Sequence, residues 1–340
     1  MERINVGNWR QVRTILFMLG CATRVAGTPV HTVDVAGLAA GANLIVVGQV
    51  ESITATGRGT LDYFGTQVGV TQLTITLRAD RILKGLSTGQ PLAFASLLPD
   101  SPIPYRGIPL GQYGIFFLKG QHSNLDVFDP VYPFLPALHN AQIGSGDALN
   151  QVTTMLGQVL TSSTPSERDR FDALEALTWL KTPAAGDVLR AAMKQSFGAQ
   201  RLLIAARLVA RNDFVGLEPV ATALLHPKGL PHDLLLNLAG SIGGMKDPQA
   251  VPTLARLVKA NNPDINQYAA AALRQSGSHA ALEPLSHLFD DPDLKTRYYA
   301  VIGFGEITHQ NDWAPAFDEF QQHEEHYLSY WRVWAQTNLR

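Results

Sequence analysis

MKDPQAVPTLARLVK, residues 245–259, reads as a turn followed by an amphipathic helix that opens on a proline, and the pattern recurs. GLEPVATALL, ALEPLSHLF and WAPAFDEF carry a proline at the same place, so that Pro219, Pro252, Pro284 and Pro315 follow one another at 33, 32 and 31 residues. Proline suits the first turn of a helix, where its missing N–H has no intrahelical use. Ahead of each proline lies a turn-forming group: Asn212-Asp213, Gly243-Gly244 with Asp247-Pro248, Ser276-Gly277-Ser278, and Asn311-Asp312. Ahead of each turn lies an Ala/Leu-rich run, so each unit reads helix, turn, helix. A repeat of this period predicts an α-solenoid in which no unit buries its apolar face alone.

Working outward, the pairs fall near 166–195, 199–227, 232–260, 265–290 and 294–322, with a capping helix from about 323. Ser166, three residues ahead of Asp169, is a helix start of the capping-box kind with a shorter acid. The units resemble HEAT repeats of the short, roughly 30-residue kind. They lack the T-P-L-H signature of ankyrin repeats and the Trp, Gly and Tyr positions of tetratricopeptide repeats. The resemblance implies a surface for a protein or peptide partner. By register, Arg256, Lys259 and His287 on second helices would line it.

Between residues 31 and 140 the pattern is different. Short β-rich runs cover 44–56, 70–82, 91–96 and 113–118, with a last one around Val127. Leu73, Ile75 and Leu77 alternate with Thr74, Thr76 and Arg78, the period of a half-buried strand. Lys84-Gly85 then supplies a turn. Five or so strands in about a hundred residues predict a small closed or partly open barrel. ANLIVVGQVESI, LTITLRADRILKG and GQYGIFFLKG resemble exported bacterial domains of the OB-like type, related to netrin and tissue-inhibitor-of-metalloprotease modules. The inhibitors act through an N-terminal cysteine and disulfides that this domain lacks, so protease inhibition is not implied. Most of its aromatic residues, Tyr113 among them, are read as packing. The proline-rich loop 97–111 offers Tyr105 and Arg106 as surface contacts. A join at 141–147 and a connecting helix over 147–161 complete the plan of a multidomain β + α protein.

At the amino terminus, Arg3, Arg10 and Arg13 precede ILFMLGCATRVAG, residues 15–27. A basic region, a short apolar run and small residues form the pattern of a secretory signal over 1–27, too short to span a bilayer. Two readings of its end stand side by side: cleavage after Ala22 or Gly27, or a lipobox at Met18-Leu19-Gly20-Cys21 with lipid attached to Cys21. Either way the expected location is exported, periplasmic or extracellular, with membrane contact only through a lipid anchor. Cys21 is the chain's one cysteine, so the domains beyond it cannot use a disulfide or thiolate chemistry.

Charge excludes one class of partner. The net charge is −2, and residues 31–145 hold 6 basic against 7 acidic side chains while residues 165–340 hold 17 against 20. Nucleic-acid binders carry a basic face with a clear positive excess, so nucleic acid is not expected. With 46% hydrophobic residues the chain can build two cores. There is no G-x-S-x-G, phosphate loop, dinucleotide fingerprint or triad, so neither a catalytic residue nor a cofactor is assigned. The residues nearest to a metal site are His323 and His326, spaced to share a helix face, with Asp318 as a third ligand. They support a metal-dependent hydrolase as the alternative to a non-catalytic scaffold. Tyr327, Tyr330, Trp331 and Trp334, also at helical spacing, are expected to pack the end of the solenoid. Oligomeric state is not encoded in any of these features.

Overall fold

The computed structural model describes residues 33–63, 65–86, 91–100, 107–121, 124–260 and 262–339. The export segment with Cys21, and Phe64, Tyr105 and Arg106, lie outside them. The chain divides into two compact units, residues 31–192 and a second containing residues 193–340. The first expected helix pair, 166–195, straddles this division.

In the first unit a short helix α1 (Val35–Gly41), capped by Asp34, leads into six strands: β1 (Leu44–Tyr63), β2 (Thr66–Lys84), β3 (Leu92–Pro99), β4 (Tyr113–Gln121), β5 (Asn124–Val127) and β6 (Leu135–Pro136). They form one six-stranded sheet, in which β1 pairs with both β2 and β4, β2 with β3, and β4 with both β5 and β6. A single parallel bridge, Ala95 to Asp126, joins β3 to β5. The register places Leu44 opposite Leu118 and Val46 opposite Phe116, and these four belong to the sheet's main apolar cluster with Ile75, Leu77, Phe94 and Phe134. The alternate residues Ile45, Val47, Ile115 and Phe117 are buried as well. Strands buried on both faces lose the apolar/polar alternation, which is why Leu44–Val47 and Ile115–Leu118 read as unbroken apolar runs. Helices α1 and α2 (Ala148–Thr161) supply part of the cover, α1 packing on β4 and α2 on β2 and β6. Helix α3 (Glu167–Trp179) packs on α2 and β6, and its capping serine is the expected one: Ser166 accepts from the Asp169 N–H at 3.1 Å.

The first two strands are longer than the sequence pattern suggested. Beyond Val70, β2 has no neighbour but β1 among the described residues, and 57–69 forms a two-stranded ribbon. Both its faces meet solvent over most of their length, so no burial imposes a period on its Gly- and Thr-rich sequence.

Helix α4 (Pro183–Gln195) crosses into the second unit, which continues with α5 (Gly198–Ala210), α6 (Leu217–Leu225), α7 (His232–Ile242), α8 (Val251–Lys259), α9 (Pro263–Gln275), α10 (Leu282–Ser286), α11 (Leu294–Ile307), α12 (Phe317–Gln322) and α13 (Glu324–Asn338). First helices stack on first helices, α5 on α7, α7 on α9 and α9 on α11. Second helices form the other row, α6 on α8, α8 on α10 and α10 on α13. The row is thus continued by α13, which also packs on α11, while the proline series' last member, Pro315, precedes a helix of only six residues.

Each of the helices α6, α8 and α10 is preceded by a 3-10 turn: 214–216, 248–250 and 279–281. Asp213, Asp247 and Ser278 cap these turns, accepting from the N–H two residues on. The turns therefore begin ahead of the prolines, which sit one turn inside a continuous helical stretch. The third residue of each turn is small and buried, Gly216, Ala250 and Ala281. At Gly216 even a Cβ would stand 2.3 Å from the carbonyl oxygen of Ala205 on α5.

Candidate functional site

The second-helix row presents its polar side chains as inter-repeat and intra-helix pairs. Arg256 on α8, one of the three residues singled out by register, reaches Glu218 on α6 with Nη2 at 2.8 and 2.7 Å from the two carboxylate oxygens, and Thr253 donates to the same carboxylate at 3.3 Å. The Arg256 guanidinium holds the Glu218 carboxyl below the usual carboxylate range. Arg256 is therefore a tie between repeats rather than a free cation. His287, the second, lies 2.9 Å from Glu283, one turn earlier on its own helical stretch. Lys259, the third, is exposed at the end of α8 and forms no ion pair among the described residues. Farther along the row, Arg332 on α13 bonds Asp290 at 2.7 Å and Glu325 at 2.9 Å. These pairs are solvent-exposed, so each adds only ~0.2–1 kcal/mol. Their effect is to fix side-chain positions on the row while leaving its net charge near zero.

The first-helix row is tied too. Arg274 on α9 pairs with Glu306 on α11 through two contacts of 2.6 Å. Asn212 spans two repeats from a left-handed backbone (φ 62°): its Oδ1 accepts from the N–H groups of Lys246 and Asp247 at 2.6 and 3.1 Å. Asn266 donates to buried Asp291 at 2.7 Å, and Asp291 also accepts from the Asp293 N–H. Asp291 is thus an internal anchor of the turn before α11, while Asp293 is the residue that caps the helix.

The histidine pair does not form the geometry its spacing suggested. His323 is the junction between α12 and α13, with φ −130° and ψ 32°, so it and His326 do not lie on one continuous helix. His326 packs over the Trp313 ring at 5.0 Å, and Asp318 sits on the exposed side of α12. Among the described residues no group of three or more His, Cys, Asp or Glu side chains is arranged to hold a metal ion. The aromatic stripe of α13 is packing: Trp331 is fully buried, donates to the Trp313 carbonyl at 3.0 Å and meets Phe304, while Tyr330 stacks on Trp313 at 3.6 Å. Tyr327 donates to Glu319 at 2.6 Å, and that bond together with burial pushes its hydroxyl up to about 12.

The sequence profile of HEAT repeats matches residues 230–322. The matched span runs from just before α7 through α12, three helix pairs of the second unit. Comparison with curated proteins yields no match. The matched span contains Arg256, Lys259 and His287. HEAT repeats generally mediate contacts between proteins.

Proposed function

We propose that the protein is an exported, non-catalytic scaffold that binds a protein or peptide partner along the second-helix row of its HEAT region. The observation that carries this reading is the continuous row α6, α8, α10 and α13, with polar side chains fixed at repeat spacing by the Glu218–Arg256 and Asp290–Arg332 pairs. A surface ordered before binding loses less side-chain entropy when a partner arrives. Lys259 and His287 are its contact residues, with Arg256 holding the row in register. The metal-dependent hydrolase is set aside because its ligands are separated by the helix break at His323.

Two further parts belong to this proposal. The β region is an OB-type barrel, a reading supported by the circuit of pairings β1–β2–β3–β5–β4–β1. Export is supported by the basic and apolar pattern of residues 1–27, and an intact mass of the mature protein, starting at an acylated Cys21 or after Ala22 or Gly27, tests it.

The scaffold reading is tested by affinity capture with the tagged full chain and a Lys259→Glu, His287→Ala variant of unchanged circular dichroism. A defined partner retained by the parent and lost by the variant is the expected result. Equal recovery of the same partner by both proteins would remove the second-helix row from the account.

A further inference from the structure

In the first unit β1 outruns its neighbours. It pairs with β4 only over residues 44–49 and with β2 over residues 45–63, so beyond residue 50 one edge of β1 meets no other strand among the described residues. The two parts of that edge differ. Register shifts between Val50 and Ser52 and between Ala55 and Gly57 leave Glu51 and Thr56 as extra residues, and such bulges spoil an edge as a template for another strand. Over residues 57–63 the register with 66–72 is unbroken, and the sequence GRGTLDY contains neither proline nor lysine. This regular stretch is about 24 Å long, and its alternate residues turn N–H and C=O groups outward. A two-stranded ribbon is also only marginally stable in water unless a further strand or surface joins it.

The side chains along this edge are complementary to themselves. Arg58, Thr60 and Asp62 alternate onto one face of β1 and are exposed. Antiparallel pairing of the edge with its own copy about Thr60 sets Arg58 opposite Asp62 of the second copy, twice by symmetry, and Thr60 opposite Thr60. Opposite charges and threonine pairs both favour cross-strand association. The same register keeps the faces in step, so that half-buried Leu61 and the buried Val68 and Val70 of β2, which lie opposite Leu61 and Gly59, continue as one apolar face across the joint. Both charged groups retain capacity. The Arg58 side chain is 77% exposed and bonds Asp100 through Nη1 at 2.8 Å, leaving Nε and Nη2 to donate. Asp62 accepts from the Gly65 N–H at 2.8 Å on one oxygen and from Gln67 Nε2 at 3.2 Å on the other, and a carboxylate has about four acceptor sites.

We propose that residues 57–63 of β1 pair antiparallel with the same segment of a second copy of this chain, joining two ribbons into a four-stranded sheet about a two-fold axis at Thr60. A strand from another protein would satisfy the same backbone groups, but the matching of Arg58 with Asp62 selects the identical segment. The surface lies wholly in the first unit and is independent of the HEAT region's role.

Light scattering of the full chain, from micromolar to submillimolar concentration at low salt, should show a dimer. Arg58→Asp sets like charges opposite one another at both symmetric positions and should weaken the dimer at least about tenfold, while R58D/D62R, which exchanges the two charges, should dimerise more tightly than R58D or D62R alone. Cysteine placement reads the register. In a Cys21→Ser background, Thr60→Cys sets the one thiol opposite its own copy with Cα atoms about 4.5–5.5 Å apart, inside the range of a disulfide. Thr66→Cys, equally exposed but on β2, is the control, because three strand spacings, about 14 Å, separate its copies. Mild oxidation should give a covalent dimer from Thr60→Cys and none from Thr66→Cys. A monomer at every concentration, a dimer indifferent to Arg58→Asp, a double variant no tighter than either single one, or a Thr60→Cys chain that crosslinks no better than Thr66→Cys would each overturn the proposal.

Discussion

Replacing Gly216 by alanine isolates the close approach on which the repeat packing depends. The backbone there, φ −74° and ψ −17°, is ordinary for alanine, so the substitution by itself adds no strain and should stabilise by ~0.4–1 kcal/mol through the unfolded chain. Space decides otherwise. The new Cβ would stand 2.3 Å from the Ala205 carbonyl oxygen and 2.9 Å from the Leu208 Cβ. A relaxed carbon–oxygen contact is about 3.3 Å, so the turn before α6 must withdraw from α5 by about 1 Å. Overpacking of this kind costs ~1–3 kcal/mol, and setting the gain against it leaves a net destabilisation of about 1.3 kcal/mol at the midpoints of the two ranges. Gly240 in α7 is the control, because nothing lies within 4 Å of its Cβ position and the same substitution should stabilise by ~0.5–1 kcal/mol. Urea unfolding of the full chain, followed at 222 nm, should show the midpoint falling for Gly216→Ala and rising for Gly240→Ala with the slope unchanged. A Gly216→Ala midpoint equal to or above that of the parent would refute the packing of the 214–216 turn on Ala205.

Four other expectations follow from the structure. Asn212 and His309 both adopt positive φ after a first helix, but the Asn212 side chain also accepts two N–H groups of the next repeat, so Asn212→Gly should destabilise by about 1 kcal/mol. His309→Gly, which relieves a left-handed backbone at an exposed position, should stabilise by ~0.5–1 kcal/mol in the same urea titration. Tyr113, with its hydroxyl pushed up to about 12, keeps its proton in the folded state after an unfolded tyrosine has lost it near pH 10. Its contribution is complete below pH 10 and disappears as pH rises toward 12; difference absorbance at 295 nm should lose a late-titrating phenol in Tyr113→Phe. A double-mutant cycle on Arg274 and Glu306 should give a coupling of ~0.5–1 kcal/mol, larger than that of the more exposed Arg256 and Glu218.

The repeat architecture was legible because proline and the turn residues recur for local steric reasons. Asp213, Asp247 and Ser278 cap turns where the sequence placed turns, and the second helices follow at once. The strand cores were legible too, since Leu44–Val47 and Ile115–Leu118 are buried on both faces. The ribbon over 57–69 was not, because burial is what writes a period into a strand and these residues have little. Nor was the break at His323, where neither glycine nor proline interrupts the helical pattern and α13 goes on to pack against α10 and α11. Register placed Arg256 among the residues lining a partner surface and gave no sign of an ion pair. Its partner Glu218 is 38 residues earlier and becomes visible only once two second helices lie side by side. Tyr113 was read with the packing aromatics, and the influence of Asp80, the extra residue where the β1–β2 register jumps from Val47↔Arg81 to Gly48↔Ala79, leaves no mark in the sequence.

The central claim, that a partner meets the second-helix row, is tested most directly by photo-crosslinking in the native cell. A benzophenone amino acid is placed at Lys259 or Ser286 in the second-helix row, and at exposed Gly240 or Lys295 on first helices. The account predicts one discrete partner adduct from Lys259 and Ser286 and none from the first-helix positions. The same adduct from Gly240 and Lys295, with none from Lys259 or Ser286, would contradict it.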